Sequence, residues 1–131
     1  EEELHYWTPQ SFKDKYPEDK SQWPVFVYRS YNAEDETEII KIMIDNDVDT
    51  DNIMKFFMSD PRASRVIVKR CLKEVKNIKY ANGNVVSLVL EDDIVPDSFL
   101  KRIPFRLLNM LQQEIITGTA PTQEQVTSLE S

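Results

Sequence analysis

Glycine is almost missing from this chain: Gly83 and Gly118 are the only two in 131 residues. Backbone can lie close against a phosphate only where side chains are absent, so a P-loop or dinucleotide fingerprint is excluded. A single cysteine, Cys71, leaves no internal disulfide, and with a single histidine, His5, it cannot build a zinc site without carboxylates or a second chain. No apolar run is long enough to cross a bilayer and no secretory leader is visible. These absences point to a reducing, intracellular setting without a membrane partner. The sequence opens on Glu1 rather than Met, which suggests a piece of a larger protein.

Charge is abundant and unevenly placed. The net charge is −7, from 16 basic and 23 acidic residues. Residues 1–60 hold 6 basic and 15 acidic side chains, residues 61–90 hold 7 and 1, and residues 91–131 hold 3 and 7. One basic block therefore lies between two acidic ones. With 40% hydrophobic residues, the chain has the makeup of one folded domain able to bury a core. We expect that domain over residues 1–118 and a polar tail over 119–131, where TQEQ at 122–125 is a further cap signal.

Hydrophobic periodicity sets out the elements. Thr8-Pro9 reads as cap and first position of a short helix closed by Pro17, with Trp7, Phe12 and Tyr16 pinning a loose N-terminal arm to the core. Residues 24–31 alternate as a strand. Asn32 and the acids Glu34, Asp35 and Glu36 introduce Ile39, Ile40, Met43 and Ile44 at helical spacing, which predicts a helix over 33–45, although with Ile42 the run TEIIKIMI also fits a strand. Asp49 or Thr50 caps a second helix, 51–59. Asp60-Pro61 ends it and opens a third, 61–76, with Ile67, Cys71 and Val75 inward. Asn82-Gly83 between two β-prone runs predicts a hairpin over 78–90, ended by Asp92-Asp93. A short helical turn over 97–102 precedes a last helix from Pro104 to 116, with Phe105, Leu108, Leu111 and Ile115 on one side and Gly118 as its C-cap.

The order helix 33–45, helix 51–59, helix 61–76, hairpin 78–90 resembles a winged-helix domain. The likeness covers residues 33–91 and rests on the order and length of elements, with no signature motif. It implies an α+β fold: a three-helix unit with a β-hairpin wing, flanked here by an N-terminal strand and a C-terminal helix. It also implies that the third helix lies in the DNA major groove. One departure concerns the short strand that the family places between its first two helices. DNDVD offers little for it, and Val25–Arg29 is the other candidate for a third strand.

On a helix over 61–76, Arg62, Arg65, Lys69, Lys73 and Lys76 fall within an arc of about 80°, opposite Ile67, Cys71 and Val75, and Lys79 extends the row onto the hairpin. Long cations gathered along one rod suit phosphate contact, because each neutralised phosphate releases counterions. An acidic protein surface would be met by the same row, and a plain solvated helix face is the bland reading.

Other candidates are weaker. Asp45, Asp47, Asp49 and Asp51 alternate like a calcium loop, but Thr50 stands where glycine is needed and Phe56 where a bidentate glutamate is needed. Cys71 sits on an apolar helix face as a small core residue. Nothing marks a nucleophile with its base, so no catalytic, metal or cofactor site and no small-molecule substrate is expected. Trp7, Trp23, Tyr28, Tyr31, Phe56 and Phe57 include interface candidates, and Leu107, Met110 and Ile116 widen the apolar face of the last helix. The resulting expectation is a non-enzymatic module of a larger intracellular, nuclear assembly. It would contact DNA, or else an acidic protein surface, through Arg62, Arg65, Lys69, Lys73, Lys76 and Lys79. The alternative is a scaffold module that docks other subunits through its last helix and exposed aromatics.

Overall fold

The computed structural model describes residues 3–79 and 82–119, the side chains of Phe57, Met58 and Thr119 apart. The expected tail beyond Thr119, its cap signal at 122–125 and the exposure of Phe57 lie outside the described residues. The fold is α+β. Strands β1 (Leu4–Trp7), β2 (Val25–Arg29) and β3 (Leu72–Lys76) form an antiparallel sheet in that order. The helices are α1 (Gln10–Lys15), α2 (Ala33–Asp45), α3 (Ile53–Ser59), α4 (Pro61–Cys71), α5 (Asp97–Leu100) and α6 (Phe105–Thr119). No helix among the described residues is long and apolar enough to cross a membrane.

The N-terminal arm is a sheet edge rather than a loose segment. Trp7 pairs with Phe26 and His5 with Tyr28 across β1 and β2. Their rings meet, His5 stacking on Tyr28 at 5.1 Å and Trp7 tilting on Phe26 at 5.7 Å. His5 Nε2 is also 2.9 Å from Ser30 Oγ. Thr8 does not cap α1 as expected. Its buried hydroxyl donates instead to the Pro24 carbonyl at 2.8 Å, and Pro9 occupies the cap position without a side-chain bond.

The helix expected over 33–45 forms, and its N-terminus carries the most heavily bonded side chain in the core. The Asn32 side chain accepts from the Glu34 and Asp35 N–H groups, while Asp35 accepts from the Asn32 N–H, a reciprocal capping box. Of the three acids there, Asp35 alone is buried. Arg29 at the end of β2 grips it with two 2.8 Å bonds, and Arg70 of α4 adds a third at 2.7 Å. The Cys71 thiol donates to the same carboxylate at 3.7 Å. Burial alone would raise the Asp35 pKa, but the hydrogen bonds from Arg29, Arg70 and the Asn32 backbone, with the Arg29 charge, outweigh it and hold the group at about 2.

The third helix is shorter than its periodicity suggests. It ends at Cys71, and the chain enters β3 at Leu72 with no intervening loop. The 61–76 helix is therefore corrected to Pro61–Cys71, with Lys73 and Lys76 on a strand. The reason is a β-bulge. Val27 pairs with Glu74 and Tyr28 with Leu72, which leaves Lys73 as the extra residue. Leu72 and Val75, three apart, then both face the core, a spacing that a regular strand would never show.

α4 packs on α2 and α6, burying Ala63, Ser64, Ile67, Val68 and Cys71. Ser64 bonds Gln112 of α6, and the Tyr28 hydroxyl donates to Glu114 at 2.7 Å. The role expected for Gly118 is also corrected. Helix α6 runs through it to Thr119, so Gly118 is no C-cap. A Cβ there would overlap the Tyr28 hydroxyl, so the residue permits a close approach of α6 to the sheet.

The expected hairpin is reduced. Among the described residues it consists of one bridge, Lys79 to Val85, with the Val86 N–H donating to the Ile78 carbonyl. Asn77, at φ 59°, turns the chain out of β3, so residues 86–90 do not continue along the sheet. Tyr80 and Ala81 lie outside the described residues.

Three outcomes are expected in urea denaturation. Asp35→Asn strands two largely covered guanidinium groups and should cost about 3–5 kcal/mol. Because the Asp35 pKa is lowered, its contribution is present above the unfolded value and is lost as pH falls from about 4 towards 2, an effect of about 2 kcal/mol in wild type that Asp35→Asn removes. Gly118→Ala should cost about 1–3 kcal/mol by overpacking, and less when Tyr28→Phe removes the opposing oxygen.

Candidate functional site

The six expected cations fall into separate settings. Arg62, Arg65 and Lys69 share the outer arc of α4, opposite Ser64, Ile67 and Cys71. Arg62 is tied to Asp60, the cap of its own helix, at 2.6 Å and lies over the Phe56 ring. Lys69 reaches Asp97 at the start of α5 at 3.0 Å. Arg65 makes no ion pair with a described residue. The Lys69 bond lowers the Asp97 pKa, chiefly through the hydrogen bond and then the charge.

Lys73, at the bulge, points elsewhere. Only 11% of its side chain is exposed, and its ammonium bonds both the Asp93 carboxylate at 3.0 Å and the Asp93 carbonyl at 3.1 Å. It lines a polar cleft of about 220 Å³ with Arg29, Arg70, Asn32, Glu34, Asp92 and Asp93. Acids match cations along that lining, and the Asp35 charge lies beneath it, so the cleft offers no net attraction to an anion. Lys76 lies over the Tyr6 ring at 5.6 Å on the outer side of the sheet. Lys79 stands past the Asn77 turn. The single row along one rod is thus corrected to four settings, because the rod ends at Cys71. Arg70, not among the six expected cations, is the one that closes the core clamp. The demand of a buried Asp35 for partners was the signal for it.

Around Lys79 the chemistry changes. Phe26, Ile78, Val86, Phe99, Ile103 and Leu107 line an apolar groove of about 200 Å³, flanked by Lys79 and Arg102. A second groove, about 230 Å³, continues past Phe99 and Arg102 along Ser87, Val89, Glu91 and Pro96. Val85 and Val89 are 64% and 73% exposed, large values for valines in so apolar a stretch. Phe99 and Ile103 were unmarked in the sequence, where their turn reads only as a connector. On α6, Leu107 and Ile116 are half-buried, and Phe105 and Met110 are exposed.

Chemistry by Cys71 is disfavoured. Burial, followed by the Asp35 charge, pushes its thiol up to about 12, so it keeps its proton at neutral pH. Among the described residues, no three His, Cys, Asp or Glu side chains are grouped to hold a metal ion. The chain matches no family model, no curated relative and no solved structure.

The two kinds of ion pair should separate by mutation. Asp97→Asn, at an exposed carboxylate, should leave the urea midpoint unchanged. Lys73→Ala, at a largely covered ammonium with two bonds, should cost about 1 kcal/mol.

Proposed function

We propose that the protein is a non-catalytic docking module of a larger assembly, and that its partner is an acidic, apolar segment of another protein. The observation that carries this is the apolar groove of Phe26, Val86, Phe99 and Leu107 with Lys79 and Arg102 at its sides. Apolar walls supply most of the affinity in such a site, and cations at its rim select acidic residues and reject basic ones. The expected scaffold role for the last helix enters here through Leu107, which forms part of the groove wall.

DNA is the second reading. Arg62, Arg65 and Lys69 on one exposed face of α4 favour it, and the likeness to a winged-helix domain supports it by analogy of element order. A nuclear setting belongs to this reading. Against it stand the net charge of −7, the carboxylates already paired with Arg62, Lys69 and Lys73, and the parting of the six cations.

Fluorescence anisotropy at physiological salt discriminates the two. A blocked, labelled peptide alternating valine and glutamate should bind, the valine–lysine version should not, and Phe99→Ala should weaken binding by about ten-fold or more. A labelled duplex should bind weakly, and the Arg65→Glu, Lys69→Glu double variant should leave peptide binding unchanged. Tight, salt-sensitive duplex binding lost in that double variant, with no peptide binding, would replace the acidic-segment reading by the DNA one.

A further inference from the structure

Residues 85–90, VVSLVL, have the composition of a strand buried on both faces, yet the chain covers only one of them. Val86 is buried, and Leu88 and Leu90 are half-buried, while Val85, Ser87 and Val89 are exposed. That period of two marks an extended segment. It contains no charge, no proline and no glycine, which are among the devices that usually blunt an open strand edge. Among the described residues, no backbone hydrogen bond reaches Ser87, Leu88, Val89 or Leu90.

The direction of the unused groups follows from one bond. The Val86 N–H is committed to the Ile78 carbonyl on the hairpin side. Amides alternate sides along an extended chain, so Leu88 and Leu90 share that side, and the N–H and C=O groups of Val85, Ser87 and Val89 point away from it. The groove that continues past Phe99 opens on Ser87 and Val89, not on Leu88 or Leu90. Pro96 and Phe99 line it on the α5 side, and Arg102 and Glu91 are the charged residues of its lining.

We propose that residues 85–89 are an incomplete strand edge and that the partner segment adds to it as an extended strand. This rests on the acidic-segment reading of the groove and specifies how the segment is held. Main-chain bonds to Val85, Ser87 and Val89 supply register-independent affinity. Alternate apolar side chains of the segment enter the trough beside Phe99, and an acidic residue at its Lys79 end meets that ammonium.

Backbone chemistry of the probe separates this from groove binding in general. The labelled valine–glutamate peptide is compared with two N-methylated forms, one methylated on the valine amides and one on the glutamate amides. Only one set of amides can face the edge, so one form should lose about ten-fold or more in affinity, and the other should stay within about three-fold of the parent. In amide exchange of the intact chain, saturating parent peptide should slow Val85, Ser87 and Val89 by about ten-fold or more, beyond any change at Leu88 and Leu90. Binding that Phe99→Ala weakens, with both methylated forms as tight as the parent and no selective protection, would leave the groove reading standing and overturn strand addition. Absence of peptide binding at millimolar concentration would overturn both.

Discussion

A carboxylate held out of water by two guanidinium groups organises most of this molecule. Asp35 receives β2 through Arg29, the end of α4 through Arg70, and its own helix start through the Asn32 backbone. Two elements adjacent in sequence and a third 35 residues on are thereby brought to one point, and each brings a polar group that would be costly to leave unpaired. The apolar core alone could tolerate small rotations of α4 on the sheet. The planar fork of Arg29, engaged at both oxygens, fixes the start of α2 on β2, and the Arg70 bond to the same carboxylate ties the end of α4 to that point.

Where local signals agreed, the sequence was legible. Asn32 and the acids Glu34, Asp35 and Glu36 marked the start of α2, Asp60-Pro61 marked the start of α4, and the alternation over residues 24–31 marked the central strand. It misled where a tertiary device imitated a local pattern. Leu72 and Val75 are spaced as on a helix because a bulge places two strand residues on the same face, and nothing local distinguishes those cases. Gly118 had the position of a cap and serves a contact with Tyr28, ninety residues earlier in the chain. The N-terminal arm looked loose because a four-residue strand carries too little alternation to stand out from its acidic neighbours.

The candidate surface was legible in its parts and not in its arrangement. A block of cations was plain from composition, but its acid partners Asp60, Asp93 and Asp97 lie in other segments, and only the fold brings the last two to Lys73 and Lys69. The groove was harder to foresee, since Phe99 and Ile103 fall in a turn too short for periodicity to register. Its wall at residues 85–90 was expected as a hairpin strand, while the structure forms only the Lys79–Val85 bridge past the left-handed Asn77, which no neighbouring residue announces.

The direct passage from Cys71 into Leu72 leaves no slack between a helix and a strand. An inserted or deleted residue at that joint would rotate every inward side chain on one side of it, so the length of this stretch is as constrained as its composition. Homologous chains, however divergent elsewhere, are then expected to keep their gaps out of residues 61–76 and to gather them in the turns around Asp47 and Gly83, where the backbone already takes left-handed conformations and has solvent beside it.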